Sequence, residues 1–112
     1  MPTDYPLRIF NQTVRATKPA GVNTPAVVTT PSFVYLTLVA VGSAAATCKI
    51  EKTYSTGAQI GAGTAVWVSV NATLDAVGTT PVAYDLTATV PTAFRVTALT
   101  NDTTADLTIL GR

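Results

Sequence analysis

The chain has no histidine and a single cysteine, Cys48. Without an imidazole base, neither a Ser-His-Asp nor a Cys-His nucleophile can be built, and the usual His-containing zinc sites are excluded. One thiol per chain excludes intramolecular disulfides, iron–sulfur clusters and cysteine-rich zinc sites. Charge is also scarce. Seven Lys or Arg and six Asp or Glu make up 12% of 112 residues and sum to +1, about half the usual ~25% share. So weak a field does not steer nucleic acid or an anionic membrane to the surface. Long apolar runs are missing too. The longest, Phe33 to Val41, spans nine residues and is broken by Thr37, whereas a spanning helix needs roughly 20. The N-terminus, Met-Pro-Thr-Asp-Tyr-Pro, has no basic n-region and no apolar h-region. The chain is therefore expected to be soluble, made in a cytoplasm and not secreted by a signal peptide.

What is present is Thr, Ala and Val: 22, 17 and 14 residues, together 53 positions. Leu, Ile, Val and Phe number 29, about 26% of the chain and above the ~20% below which disorder is favoured. A chain of this length reads as one domain, burying about two-thirds of its unfolded surface. Thr and Val lose χ1 freedom in a helix and prefer a pleated surface. No segment has a capped apolar stripe at helical spacing, so helix is nearly excluded.

Proline divides the chain. Five of seven prolines (Pro2, Pro6, Pro19, Pro25, Pro31) fall in the first 31 residues, where fixed φ and missing N–H donors disfavour both helix and central strand. Residues 1–31 read as an extended arm with one or two short edge strands, at Leu7 to Phe10 and Gln12 to Thr17, and with a loop over Lys18 to Asn23. Residues 32–112 read as a β domain with period-two strands at Ser32–Val41, Ala45–Tyr54, Thr64–Leu74, Val82–Val90, Thr92–Leu99 and Thr104–Leu110. Ser55 to Gly63 and Asp75 to Pro81 read as loop and turn. Thr100-Asn101-Asp102-Thr103 is good turn chemistry, which makes the last two strands the best hairpin candidate. The fold class is all-β: an antiparallel sandwich, jelly-roll-like or Ig-like, or a small barrel, with 6–8 strands in all.

The candidate sites are few. Ser55 to Thr64 is glycine-rich, but Val66-Trp67-Val68 follows it, and a phosphate-binding loop needs a following helix. The six carboxylates show no paired spacing, and most read as solvated in turns or on polar strand faces. Calcium ligation at Asn101 and Asp102 lacks the spaced acids of an EF-hand. Cys48 shares a strand face with Ala46 and Ile50, opposite Lys49, which reads as a buried small hydrophobe. Asn11, Asn71 and Asn101 begin N-x-Thr sequons, for which glycosylation is the weaker reading without a signal peptide. No cofactor and no metal is expected.

Two features bear on assembly. In the first strand of the β domain both faces are apolar: Phe33, Tyr35, Val39 and Val41 on one, Val34, Leu36, Leu38 and Ala40 on the other. Either the arm covers the outer face or a second subunit does. Trp67 is out of phase with Val66, Val68 and Val70. It either projects outward as an interface residue or, in the reverse phase, anchors the core; the second is preferred because large aromatics fill sandwich centres. The candidate protein–protein contacts are Tyr5, Arg8, Phe10, Arg15, Lys18, Val34, Leu36, Leu38 and Trp67.

The proline-rich arm opening at Met1, the Thr/Ala/Val strands, and the closing run from Val82 through Phe94-Arg95-Val96-Thr97 to Leu107-Thr108-Ile109-Leu110 together resemble the small β-sandwich structural proteins of tailed-bacteriophage virions. The resemblance implies a non-enzymatic, many-copy subunit of the head decoration or cement kind. Such a subunit would be a homo-oligomer located in the virion, with other virion proteins such as the major capsid protein as partners, and with no nucleic acid or membrane. The alternative is a tail-fibre or spike module that binds a carbohydrate or other surface, with Trp67 or Tyr54 as a stacking platform beside Ser55–Gly63.

Overall fold

A computed structural model of the chain describes residues 12–19, 25–30, 33, 35–43, 48–86, 89–98 and 104–111. Eight strands follow in order: β1 (Gln12–Lys18), β2 (Ala26–Thr29), β3 (Leu36–Gly42), β4 (Cys48–Thr53), β5 (Val68–Ser69), β6 (Val82–Leu86), β7 (Ala93–Ala98) and β8 (Ala105–Gly111). One short helix, α1 (Gly57–Ala62), and one 3₁₀ turn (Ala72–Leu74) complete the described elements.

The strands form two four-stranded sheets, ordered β1-β8-β3-β6 and β2-β7-β4-β5, and every pairing is antiparallel. The first strand pairs with the eighth, the second with the seventh, the third with the sixth and the fourth with the fifth. That nesting is one long antiparallel hairpin rolled up on itself, the jelly-roll arrangement, rather than a closed barrel.

Period-two alternation decides which side chains enter the core. Leu36, Leu38 and Ala40 of β3 meet Ala105, Leu107 and Ile109 of β8 from one sheet, and Cys48, Ile50, Phe94 and Val96 from the other, all nearly or fully buried. Each large side chain so buried contributes about 1.5–3 kcal/mol. Phe33 is also buried, its ring so close over Gly111 that a Cβ there would sit 2.5 Å from it.

Three sequence expectations need correction. Helix is not excluded: Thr56 accepts from the Gln59 amide, Gln59 Oε1 accepts from the Thr56 amide, and Gly63 ends α1 at φ 77°. Caps and a left-handed C-terminal glycine thus outweigh the low helix propensity of the region. The expected strand Thr64–Leu74 shrinks to Val68–Ser69, with Val66 70% exposed, because the chain leaves the sheet to form the helical segment and the 3₁₀ turn. The expected final hairpin is absent: β7 and β8 lie in opposite sheets, since turn chemistry in a sequence does not say which sheet the next strand joins. The arm strand expected at Gln12 to Thr17 is β1. It extends the sheet sideways as an edge strand on β8, and β2 is the edge strand of the other sheet. The expected strand at Leu7 to Phe10 lies outside the described residues.

Candidate functional site

The outer face of the β2-β7-β4-β5 sheet carries a cluster built by cross-strand register. Val27 of β2 stands beside Arg95 of β7, Arg95 beside Glu51 of β4, and Glu51 beside Ser69 of β5. Directly opposite residues on one face lie about 5 Å apart, so four different strand positions become one row. Arg95 Nε donates to Glu51 Oε1 at 2.8 Å, Thr97 Oγ1 donates to the same oxygen at 3.2 Å, and Lys49 Nζ lies 3.8 Å from Glu51 Oε2. Glu51, only 9% exposed, is thereby satisfied, as a nearly buried carboxylate must be.

The guanidinium of Arg95 also lies over the Trp67 ring, 4.7 Å from its centroid, a cation–π contact. Trp67 is half-buried on this outer face and is absent from the buried core, so the core-anchor phase preferred from sequence is not the one adopted. The segment between β4 and β5 is fastened over the sheet end. Thr53 Oγ1 donates to the Val66 carbonyl at 2.7 Å, and the Val66 amide donates to Ser55 Oγ at 3.0 Å. With Pro25 and Val27 on one side, Ile60, Gly63 and Ala65 on the other, and Trp67 and Arg95 between them, an open groove of about 440 Å³ results.

This groove is lined by an indole ring, aliphatic side chains and the guanidinium of Arg95. Among the described residues no three His, Cys, Asp or Glu side chains are grouped to hold a metal ion. Cys48, fully buried in the core, does not reach the groove. Burial, with the Asp106 carboxylate adding to it, pushes its thiol from the ordinary 9.0 up to about 11, so the reactive thiolate is suppressed.

Of the candidate contacts, Lys18, Leu36 and Leu38 are buried at 1%, 3% and 0% exposure. Lys18 Nζ donates to the Pro19 carbonyl at 2.7 Å. These three point into the sandwich and present no side chain to a partner. Arg15 is exposed on the outer face of the other sheet, beside Asp106 at 3.5 Å. It is therefore not brought together with Trp67. Tyr5, Arg8, Phe10 and Val34 lie outside the described residues. Sequence reasoning missed Arg95 and Glu51 as partners of Trp67. Alternation places both on polar faces, but only the β4–β7 pairing makes them neighbours.

No helix among the described residues is long and apolar enough to cross a membrane. No family model, curated protein or solved structure matches the chain.

Proposed function

We propose that the chain is a non-enzymatic structural subunit of a bacteriophage virion, of the head decoration or cement kind, that binds and stabilises a capsid shell through protein–protein contacts. One observation carries this reading: each of the nine charged side chains among the described residues already has a partner within the chain. Arg15 pairs with Asp106, and Glu51 with Lys49 and Arg95. Asp85 accepts from Thr37, Asp75 from Ser69, and Lys52 lies over Tyr54. Lys18 donates to a backbone carbonyl. A surface whose charges are already compensated loses little solvation when another protein covers it. Exposed Val27, Tyr35, Val66 and Leu110 supply apolar contact. The jelly roll fits as well, since capsid and lectin domains both use it, although a fold alone assigns no function.

The arm contributes Tyr5, Arg8 and Phe10 to the contact in this reading. The test is binding of purified chain to isolated shells, with and without residues 1–11. Deletion is expected to abolish co-sedimentation while leaving the thermal melt intact. Equal binding by the shortened chain would remove the arm from the mechanism, and failure of both chains to bind would remove the shell.

The Trp67 groove favours a second reading, a carbohydrate-binding module of a tail fibre or spike with the indole as stacking platform. Binding on a glycan array that disappears in Trp67→Ala supports it, and a silent array counts against it.

A further inference from the structure

We propose that the Trp67 groove binds an acidic glycan, a pyranose that carries a carboxylate. The Arg95 guanidinium receives the carboxylate, and the indole with its aliphatic neighbours receives the ring. The inference deepens the carbohydrate-binding reading of this groove and rests on it.

A guanidinium carries N–H donors on Nε and on both Nη atoms, arranged as a planar fork. In Arg95 the Nε donates to Glu51 Oε1 at 2.8 Å, and the guanidinium carbon lies 4.7 Å from the centroid of the Trp67 ring. Neither Nη group donates to a described residue. The side chain is 27% exposed and lines the groove, so a ligand there can reach these donors.

Charge selects an anion. Among the described residues that line the groove, Arg95 is the only charged one. Two carboxylates stand on this side of the sheet, and neither lines the groove. Glu51 is engaged by Arg95, Thr97 and Lys49. Asp75 accepts from Ser69, one strand beyond Glu51. An entering anion therefore meets a cation and no wall carboxylate. A carboxylate is planar and matches two parallel N–H donors, which makes it the best partner for the fork.

The walls then decide between an acidic sugar and an acidic peptide. An extended peptide is held by main-chain hydrogen bonds along a free strand edge. On the α1 side those amides are already used. Gly63 donates to the Ile60 carbonyl at 3.2 Å, Thr64 to the Gln59 carbonyl at 2.9 Å, and Val66 to Ser55 Oγ at 3.0 Å. On the opposite side, Pro25 has no amide to give. What remains is Trp67 flanked by Ile60, Ala65 and Val27. The electron-rich face of an indole suits the C–H face of a pyranose. The volume of about 440 Å³ falls within the roughly 300–1,000 Å³ of small-ligand sites.

Trp67 is the single tryptophan of the chain, so its fluorescence reports on the groove directly. The full chain is titrated with oligomers of galacturonate, mannuronate and glucuronate and with sialyllactose. Methyl esters of these acids, the corresponding neutral oligosaccharides and oligoglutamate serve as comparisons. At least one acidic sugar is expected to bind and change the emission. Its methyl ester, which keeps the ring and loses the charge, is expected to bind about tenfold more weakly. Arg95→Lys keeps the charge and loses the fork, and is expected to weaken the acidic sugar about tenfold. Val27→Glu sets a carboxylate opposite Arg95 and leaves Glu51 in place; it is expected to block the acidic sugar. Thermal melts establish that both variants fold, and Val27→Glu carries the test if Arg95→Lys does not. Equal binding of acid and ester, acid binding indifferent to Val27→Glu, or oligoglutamate bound as tightly as the sugar would each overturn the proposal. Neutral oligosaccharides that bind as well as the acids, and are lost in Trp67→Ala, contradict the acidic ligand alone. Silence with every sugar, neutral and acidic, contradicts the carbohydrate reading as well.

Discussion

Gly111 and Cys48 show how single residues set limits in this fold. A Cβ on Gly111 would lie 2.5–2.7 Å from three atoms of the Phe33 ring, and that ring is held in the core. Gly111→Ala is therefore expected to destabilise by about 1–3 kcal/mol, the usual cost of overpacking, measurable by urea denaturation. Unchanged stability would mean that the ring moves freely. Cys48 makes stability depend on pH in one direction. Its folded-state pKa is raised to about 11, so the native state favours the neutral thiol. The associated stability is fully present below the ordinary value of 9.0 and is lost as pH rises through 11. Two pKa units correspond to at most about 3 kcal/mol. Stability of the native chain is expected to fall more steeply between pH 9 and 11 than that of Cys48→Ala. Parallel curves would contradict this assignment.

At the scale of elements, α1 is held by its ends alone. It buries no residue, and its capping box and Gly63 are its visible supports. Thr56→Ala should cost about 1 kcal/mol locally, and the expected sign is faster hydrogen exchange at the Gln59 and Ile60 amides with little change in the global melting temperature. A large drop in melting temperature would show that α1 supports the sandwich. This helix is legible as Thr56-x-x-Gln59 followed by Gly63, a signature that the abundance of Thr and Val in the chain masks. Alternation correctly put Cys48 with Ile50, Phe94 with Val96, and Ala105 with Leu107 and Ile109 inside. Periodicity says which face of a strand is buried but nothing about which strand lies next to it. That is why the runs of β7 and β8 read as a hairpin in the sequence, and why Trp67, Arg95 and Glu51 come together only in three dimensions. Val66 and Val68 show the converse error: an apolar period-two run whose side chains are exposed because only two residues there pair with β4.

For the whole molecule, nesting of the strands ties the chain's beginning to its end. β1 runs beside β8 along all seven of its residues, and β2 beside β7 along four. Removing residues 1–31 therefore strips an edge strand from each sheet, whereas removing residues 1–11 leaves every described strand in place. The chain 12–112 is expected to melt cooperatively in circular dichroism and the chain 32–112 to lose that transition. Cooperative melting of the shorter piece would show that the two edge strands are dispensable. The distribution of charge also belongs to this scale, because a +1 chain whose described charges are internally partnered has surfaces suited to being covered. The most direct measurement is the copy number of this chain in gradient-purified virions, by quantitative mass spectrometry against the major shell protein. Many copies per particle, in a fixed ratio to the shell protein, are expected; a chain that stays at the top of the gradient, absent from the particles, would contradict the virion-subunit function outright.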